Sequence, residues 1–428
     1  MASCTWDQII STFNADRFNH GTALDSTVNT YFHEHDGVYK PRSVFIDLDD
    51  GPINELLSGP LKGIVDADSC VIGSQQATGI FAMRFADEYI EVPVEEPALE
   101  VIRREVEKCD CIQGFMFCHS YGGGTGSGLT SLLMVDVEDH FGKVEMYSVG
   151  IYAAFEDMYS TEIYNAVLGL YTEMVCKNVG PCFVFQNEAL RKICKDNEID
   201  RPNHEDLNFV IGNVMSSIAA GAMTRAESTV DIDNLSVRFP SHPYVKFPLI
   251  SFTRGRNDPR IRNVAAAMLP YAFASEKQVV CSDPLSGRIA SICNVFLGGV
   301  TANDARGAVN ELYAGNMHLV TRNSLGVNTS VPAPPTLIGD GYMSMQMQSD
   351  KQEVSLCTFS TNTAIISLFK NAEERMRYLL NRNAFVHYYE SDGIESEDLF
   401  DAYYSLEDII MEYSDLHNIL LYNNNGQQ

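Results

Sequence analysis

Basic residues are scarce in this chain of 428 residues. It has 30 Lys and Arg against 57 Asp and Glu, which gives a formal net charge of −27. A protein binds a nucleic-acid backbone through Lys and Arg side chains that displace counterions from the phosphates. The composition therefore argues against nucleic acid as a partner and favours basic proteins.

Long hydrophobic runs are also lacking. The longest, such as residues 295–300 and 364–368, fall far short of the roughly 20 apolar residues that span a bilayer. Residues 1–13 contain Asp7 and no Lys or Arg, which is unlike a signal or transit peptide. The 11 cysteines are odd in number and have no framework spacing, which indicates reduced thiols. We therefore expect a cytoplasmic protein without membrane insertion.

The chain is long enough for two or three packed domains, and its hydrophobic content of 45% suits that number. In the first half, short β-branched runs alternate with helical patterns, which predicts a parallel sheet covered by helices. The second half predicts another α/β domain. The predicted strands are residues 43–47, 114–119, 145–151 and 290–296, and the predicted helices are residues 98–109, 129–141, 205–223, 302–314 and 369–381. We expect an α/β fold with domains at residues 1–186, 187–370 and 371–428.

The C-terminal segment is strongly acidic. No Lys or Arg follows Arg382. Ten acids follow it: Glu390, Asp392, Glu395, Glu397, Asp398, Asp401, Glu407, Asp408, Glu412 and Asp415. Apolar residues at helical spacing, such as Leu406, Ile409 and Tyr413, predict a docked helix whose other face is negative. Such a face attracts basic partners, although a solvated helix face accounts for most of the pattern.

A glycine-rich loop carries the chemistry. Residues 122–128 read Gly-Gly-Gly-Thr-Gly-Ser-Gly, between a predicted strand that ends at His119 and a predicted helix that begins at Leu129. Bare backbone in this position can turn sharply and present N–H groups to an anion. The loop lacks the Lys-Ser/Thr pair of a Walker A motif, and it is not a GxGxxG motif with a distant ribose acid. The sequence therefore predicts a phosphate-binding loop of another kind.

This loop resembles the signature of the tubulin family, and its flanks, His119-Ser120-Tyr121 and residues 129–134, are similar to the α-type version. Other α-like passages are residues 28–32, 41–48, 246–249 and 384–389. The resemblance runs from about Trp6 to about His417. It implies the tubulin fold, in which a Rossmann-like GTPase domain, a core helix, a second α/β domain and C-terminal helices follow one another.

The resemblance also implies a site for GTP and Mg²⁺. Asp47 and Asp49 match the acids near the metal and the terminal phosphate, and His204 stands where the family stacks a Tyr on the base. The phosphates would be held by Ser120, Gly123, Gly124, Thr125 and Gly126, the ribose by Glu162, and the base by Asn187 and Asn208. Side-chain amides suit a guanine edge because they both donate and accept.

Some segments depart from the family pattern. The resemblance begins inside the family's first helix, so we expect its first strand and first phosphate loop to be absent from this sequence. In the loop at residues 75–80, Gly79 and Ile80 replace an Asn pair near the terminal phosphate. Asp231 is kept in the segment that an α-type subunit inserts into its neighbour's site, but Asn234 replaces the catalytic Glu. An amide cannot act as a general base, so we expect inefficient stimulation of GTP hydrolysis.

Three functions remain open at this point. The first is a GTP-binding subunit of microtubules, or of a specialised microtubule array, that pairs with a β-type subunit and meets motors and associated proteins through its acidic helices. The second is a tubulin-like pseudo-GTPase that binds tubulin or its ligands without efficient hydrolysis or polymerisation. The third, a dinucleotide-dependent Rossmann enzyme, needs a GxGxxG motif after the first strand, which is missing.

Overall fold

The structure is a computed structural model of the chain. It describes residues 5–6, 9–10, 28–35, 38–73, 80–81, 94–152, 160–223, 244–256, 263–298, 300–314, 327–330, 353–391 and 393–425. Asp231, Asn234 and Gly79 lie outside these residues.

The first half is built on parallel strands. A short antiparallel hairpin precedes them. The strands are β1 (Phe32–His35), β2 (Val38–Pro41), β3 (Phe45–Asp47), β4 (Cys70–Ile72), β5 (Gly114–Ser120), β6 (Glu145–Tyr152) and β7 (Val179–Gln186). Strands β3 and β4 pair in parallel, and β5, β6 and β7 form a parallel sheet in that order. The parallel α/β architecture expected for this half is confirmed.

Helices cover these strands. They are α1 (Asp50–Ser58), α2 (Glu95–Glu107), α3 (Thr130–Phe141), α4 (Ser160–Val175), α5 (Asn187–Asp196) and α6 (His204–Met223). The carboxyl ends of β5, β6 and β7 lie at one edge of the sheet, where Ser120 pairs with Ile151 and Tyr152 with Gln186. In parallel sheets, ligands bind outside this edge. Strand β5 is followed there by the glycine-rich residues 122–128, and β7 is followed by the start of α5.

The second half contains a mixed sheet. Its strands are β8 (Leu249–Arg256), β9 (Ile289–Gly298), β10 (Val327–Ser330) and β11 (Glu353–Asn362), in the order β10-β9-β11-β8. Its helices are α7 (Val264–Met268), α8 (Ala302–Ala314), α9 (Ile366–Leu380), α10 (Val386–Ser391) and α11 (Ser396–Asn425). Helix α6 contacts both α5 and β9, so it joins the two sheets. The predicted helices at residues 205–223 and 302–314 are confirmed within a residue or two.

The C-terminal helices pack against the first half. Both α9 and α11 contact α4. Leu406, Ile409 and Tyr413 of α11 are buried in the main hydrophobic core, as their spacing predicts. The Tyr413 hydroxyl donates to the carbonyl oxygen of Phe247, at 2.8 Å. One continuous core thus includes residues from all three expected domains, whose boundaries stay predictions.

No helix among the residues described above has both the length and the hydropathy of a membrane span.

Candidate functional site

The glycine loop connects β5 to α3. A π-helical turn at Thr125–Leu129 begins directly after Gly124 and runs into α3 without a break. Gly124 has φ −62° and ψ −42°, which is helical. Single π turns in helices occur often at functional sites. The loop therefore ends in a helix start that faces the carboxyl edge of the sheet, the place predicted for phosphate binding.

Three carbonyl groups of the loop accept hydrogen bonds from inside the protein. Asn165 Nδ2 donates to the oxygen of Gly122 at 2.8 Å, and Ser127 donates to the oxygen of Gly123 through both its backbone N–H and its hydroxyl. The oxygen of Gly126 lies 2.8 Å from Nδ1 of His119. In a trans peptide, the C=O of one residue and the N–H of the next point in opposite directions. The bonds to Gly122 and Gly123 therefore turn the N–H groups of residues 123 and 124 toward the other side of the loop.

Two of the loop glycines have no space for a side chain. A Cβ on Gly124 would lie 2.5 Å from the carbonyl oxygen of Ile80, and one on Gly126 would lie 2.4 Å from that of Ser120. A Cβ on Gly123 would stand 3.8 Å from the nearest heavy atom, Oγ of Ser120, which is an ordinary contact. Close backbone approach thus requires glycine at residues 124 and 126.

Helix α4 brings Glu162 to the loop. A Cβ on Gly122 would lie 3.6 Å from Cδ of Glu162, so this carboxyl group stands directly beside the loop. Asn165, one turn later on the same face, is fully buried. Its side-chain oxygen accepts from the N–H of Phe81 and from the hydroxyl of Tyr389, both at 2.9 Å. The predicted ribose contact and the glycine loop are therefore neighbours.

The two aspartates assigned to the metal follow β3. Oδ1 of Asp47 accepts from the backbone N–H of Leu48 at 2.7 Å, and Oδ1 of Asp49 accepts from that of Gly51 at 3.1 Å, where it caps α1. Leu48 lies in the same buried cluster as Leu129, at the end of the π turn. This shared cluster holds the aspartate loop and the start of α3 in one unit.

The residues assigned to the base begin two helices that contact each other. Asn187 is the first residue of α5, directly after β7. Since β7 is two strands from β5, its end lies about 10 Å from that of β5 along the sheet edge. A reciprocal cap between Asn203 and Asp206 fixes the start of α6, where His204 and Asn208 share one face. His204 is exposed there and Asn208 is half-buried.

A buried polar cluster lies beneath the loop. It consists of His119, Tyr121, Ser148, Glu173 and Lys246, each at most 7% exposed. The carboxylate of Glu173 accepts from the hydroxyls of Ser148 and Tyr121. Burial, and then the charge of Glu173, raises the pKa of Tyr121 well above its ordinary value. Tyr121 therefore stays neutral, and the charges of the cluster belong to its other members.

Sequence reasoning missed part of this arrangement. Asn165, Tyr389 and Glu173 are essential to the way the loop is held, and they come from helices outside the motif. One signal was available: Asn165 lies three residues after Glu162, on the same helical face. Asp231 and Asn234, assigned to hydrolysis, lie outside the described residues, so their placement stays a prediction.

Within the described residues, no group of three or more His, Cys, Asp and Glu side chains could bind a metal ion. Mg²⁺ usually takes one or two carboxylates and completes its shell with water and phosphate oxygens. The pair Asp47 and Asp49 fits that requirement, provided that a nucleotide supplies the remaining ligands.

Comparison with known proteins agrees with the fold and the loop. Residues 1–195 match the family described as Tubulin/FtsZ family, GTPase domain. The chain is 28% identical to the tubulin alpha-1 chain of Saccharomyces cerevisiae over 393 residues, which cover 90% of this chain and 86% of that one. It is 27% identical to the tubulin alpha-1 chain of Schizosaccharomyces pombe over 414 residues (95% and 89%). It is 29% identical to the tubulin beta-1 chain of Glycine max over 395 residues (90% and 84%).

The first half of the chain is thus a domain of the GTPase class found in this family. Its similarity to the relatives extends through the second half. The chain is therefore similar to the α and β chains of tubulin over about 90% of its length, and its first part matches the GTPase domain of that family.

Proposed function

We propose that this chain is a GTP-binding cytoskeletal subunit of the tubulin type, a constituent of cytoplasmic microtubules or of a specialised microtubule array. The observation that carries the proposal is the glycine loop. Its carbonyls are tied inward by Asn165, Ser127 and His119, and the carboxyl group of Glu162 stands at its side. This geometry suits the phosphates and the neighbouring sugar of a nucleotide.

The proposed contacts follow the sheet edge. Phosphates lie against the N–H groups of the loop, the ribose meets Glu162, and the base is read by Asn187 and Asn208 with His204 stacked on it. Asp47 and Asp49 hold Mg²⁺ together with phosphate oxygens, and the ion neutralises and orients these phosphates. Because the ends of β5 and β7 lie about 10 Å apart, different parts of one nucleotide contact different residues along the sheet edge.

The proposed principal partner is a β-type tubulin subunit, in a heterodimer and a protofilament. Support comes from the relatives, since the chain is about equally similar to the α and β chains that form the family. Asp231 and Asn234 fall in the segment expected to face the neighbouring subunit.

Motors and microtubule-associated proteins are the proposed partners of α11. Phe400, Tyr404 and Met411 are 42%, 56% and 55% exposed and lie within about 40° of one another around the helix. Acidic residues, among them Asp401 and Asp408, flank this apolar stripe. An apolar stripe within a negative surface suits a partner that combines basic and apolar side chains.

The pseudo-GTPase alternative has less support. It rests on Asn234 and on the departures at residues 75–80, and none of these positions except Ile80 is described by the structure. The backbone of Ile80 lies against Gly124, on one side of the glycine loop.

The first experiment measures bound nucleotide. The purified chain is denatured and the released nucleotides are separated and counted, and the affinities for GTP and ATP are then measured by calorimetry with Mg²⁺. We expect GTP or GDP and a clear preference for GTP over ATP. Glu162→Ala, which removes the proposed ribose contact, lowers the affinity about tenfold, since a charge-assisted hydrogen bond is lost. Failure of both the chain and its mixture with β-tubulin to bind GTP would refute the proposal.

A further inference from the structure

The buried cluster beneath the loop contains a continuous hydrogen-bonded series. It runs from the carbonyl oxygen of Gly126 to Nδ1 of His119, from Nε2 of His119 to the hydroxyl of Ser148 at 3.0 Å, and from that hydroxyl to Oε1 of Glu173. Its members come from the π turn, β5, β6 and α4, so the series links the glycine loop to two strands of the sheet and to a helix that packs beside it. Ser148 and Glu173 are at most 1% exposed, so water does not substitute for either.

The number of hydrogens that these bonds require defines the protonation of the hydrogen-bonded series. A carbonyl oxygen only accepts, so Nδ1 of His119 carries a hydrogen and donates it to Gly126. Two further hydrogens are needed, one between Nε2 and the Ser148 hydroxyl and one between that hydroxyl and Glu173. Ser148 supplies one of them. The complete series therefore holds one additional proton, either on Nε2 of His119 or on the carboxyl group of Glu173.

The groups around His119 and Glu173 stabilise a charge or an additional proton on this buried pair. The Tyr121 hydroxyl donates to both carboxylate oxygens of Glu173 at 3.0 Å. Lys246 donates to the carbonyl oxygens of Glu173 and Val179. Cys182 also faces the carboxylate, and burial followed by the charge of Glu173 raises the pKa of its thiol well above the ordinary value. Cys182 and Tyr121 thus stay neutral, which leaves His119, Glu173 and Lys246 as the ionisable members.

We propose that Glu173 is a positioning residue for phosphate binding: through Ser148 it holds His119 with a hydrogen on Nδ1, and His119 fixes the Gly126 carbonyl and the turn of the glycine loop. The proposal rests on the nucleotide binding proposed above. The position of Gly126 depends on this hydrogen bond, because its Cα packs against the backbone of Ser120 and the residue has little room to move. A rotated His119 ring, or one that carries its hydrogen on Nε2 alone, leaves the Gly126 carbonyl without this donor.

The test uses two substitutions of Glu173 in the full chain. Glu173→Gln keeps the series complete, since its amide donates to Ser148 while its oxygen accepts from Tyr121. Glu173→Leu interrupts it. We expect Glu173→Gln to bind GTP within about twofold of the wild type, and Glu173→Leu to bind about tenfold more weakly, the usual effect of an unsatisfied buried hydrogen bond. The double variant that combines Glu173→Leu with His119→Ala should bind GTP about as weakly as either single variant, because both substitutions interrupt the same hydrogen-bonded series.

A second readout does not depend on nucleotide. Amide hydrogen exchange of residues 120–130 in the nucleotide-free chain should accelerate in Glu173→Leu and stay at the wild-type rate in Glu173→Gln. Where Glu173→Leu fails to fold, Ser148→Ala takes its place. Its loss is expected to be smaller, because Nε2 of His119 already lies 3.4 Å from Oε1 of Glu173.

The outcomes separate the two proposals. Absence of GTP binding by the wild type together with faster loop exchange in the interrupted variant refutes the nucleotide function and supports the positioning role. Wild-type GTP affinity and unchanged loop exchange in both Glu173→Leu and Ser148→Ala would overturn the positioning role. A lowered thermal stability with unchanged GTP affinity and loop exchange would also overturn it, since that result marks Glu173 as a core residue only.

Discussion

The substitution Gly124→Ala tests the glycine loop most directly. Gly124 has helical φ and ψ angles that alanine adopts readily. Conformation alone would make the change favourable, by about 0.4–1 kcal/mol, because alanine has less freedom than glycine in the unfolded chain. The added Cβ, however, would lie 2.5 Å from the carbonyl oxygen of Ile80, about 1 Å short of an ordinary contact. The obstacle is backbone, which has no rotamer to change, so either the loop or the segment at Ile80 must move.

The size of the effect follows from this displacement. Overpacking by one methyl group costs about 1–3 kcal/mol, which outweighs the gain of about 0.4–1 kcal/mol from the unfolded chain. Displacing a binding group by about 1 Å reduces function by as much as 100-fold when the geometry is demanding. We therefore expect Gly124→Ala to lose at least about tenfold in GTP affinity, together with a decrease of at most about 2–3 kcal/mol in the free energy of unfolding.

Gly123→Ala is the matched control. It adds the same methyl group one residue earlier in the same loop, where the nearest atom is 3.8 Å away. GTP affinities of the two variants are measured by calorimetry, and folding is checked by circular dichroism. We expect Gly123→Ala to bind at least fivefold more tightly than Gly124→Ala, a difference of about 1 kcal/mol. Equal affinities would refute the argument that close backbone approach determines which glycines are required.

Three further substitutions have defined outcomes. Asn165→Ala removes the partner of the Gly122 carbonyl and of the Phe81 N–H, and it leaves the Tyr389 hydroxyl only the Thr161 carbonyl oxygen of its two acceptors, so we expect a loss of about 2–4 kcal/mol in urea unfolding, together with weaker GTP binding. Asn234→Glu restores the family carboxylate and should raise phosphate release in a mixture with β-tubulin and GTP, whereas an already normal rate in the unmodified chain would contradict the expected deficit. Burial, and then the charge of Arg288, lowers the pKa of His417. Its contribution to stability is therefore complete above about pH 6.5 and decreases as the pH falls below that value, because the unfolded chain takes up the proton first. The decrease in urea midpoint between pH 7.5 and 5.5 should be smaller in His417→Gln.

The sequence predicted the elements that have strong local patterns. Helix α8 is found at the predicted residues 302–314, and β5, β6 and α3 differ from prediction by one residue at an end. Periodicity and β-branched runs set these elements, and the glycine loop lies between two of them. The position of the phosphate loop followed from the same local order, since a strand, a glycine turn and a helix occur in succession.

The anchors of the loop could not be predicted in this way. Glu173 and Lys246 are 73 residues apart, and Asn165 and Tyr389 are 224 apart. Each side chain is ordinary in its own segment, and its role depends on which segments the tertiary fold brings together. A buried Glu in an amphipathic helix resembles a surface residue until its partners are known. Local patterns therefore located the loop but did not indicate what holds it.

We expect nucleotide binding and hydrolysis to depend on different parts of this chain. The loop and Glu162 lie next to residues of the main core, among them Tyr121, Ile163 and Tyr389, so the subunit itself holds the expected binding geometry. The resemblance to tubulins predicts that Asn234 stands where one subunit supplies a catalytic Glu to its neighbour. A chain of this kind can bind GTP firmly and still leave its partner's GTP intact. In the mixture with β-tubulin, retained GTP with slow phosphate release would support this separation, and phosphate release that stays equally slow in Asn234→Glu would contradict it.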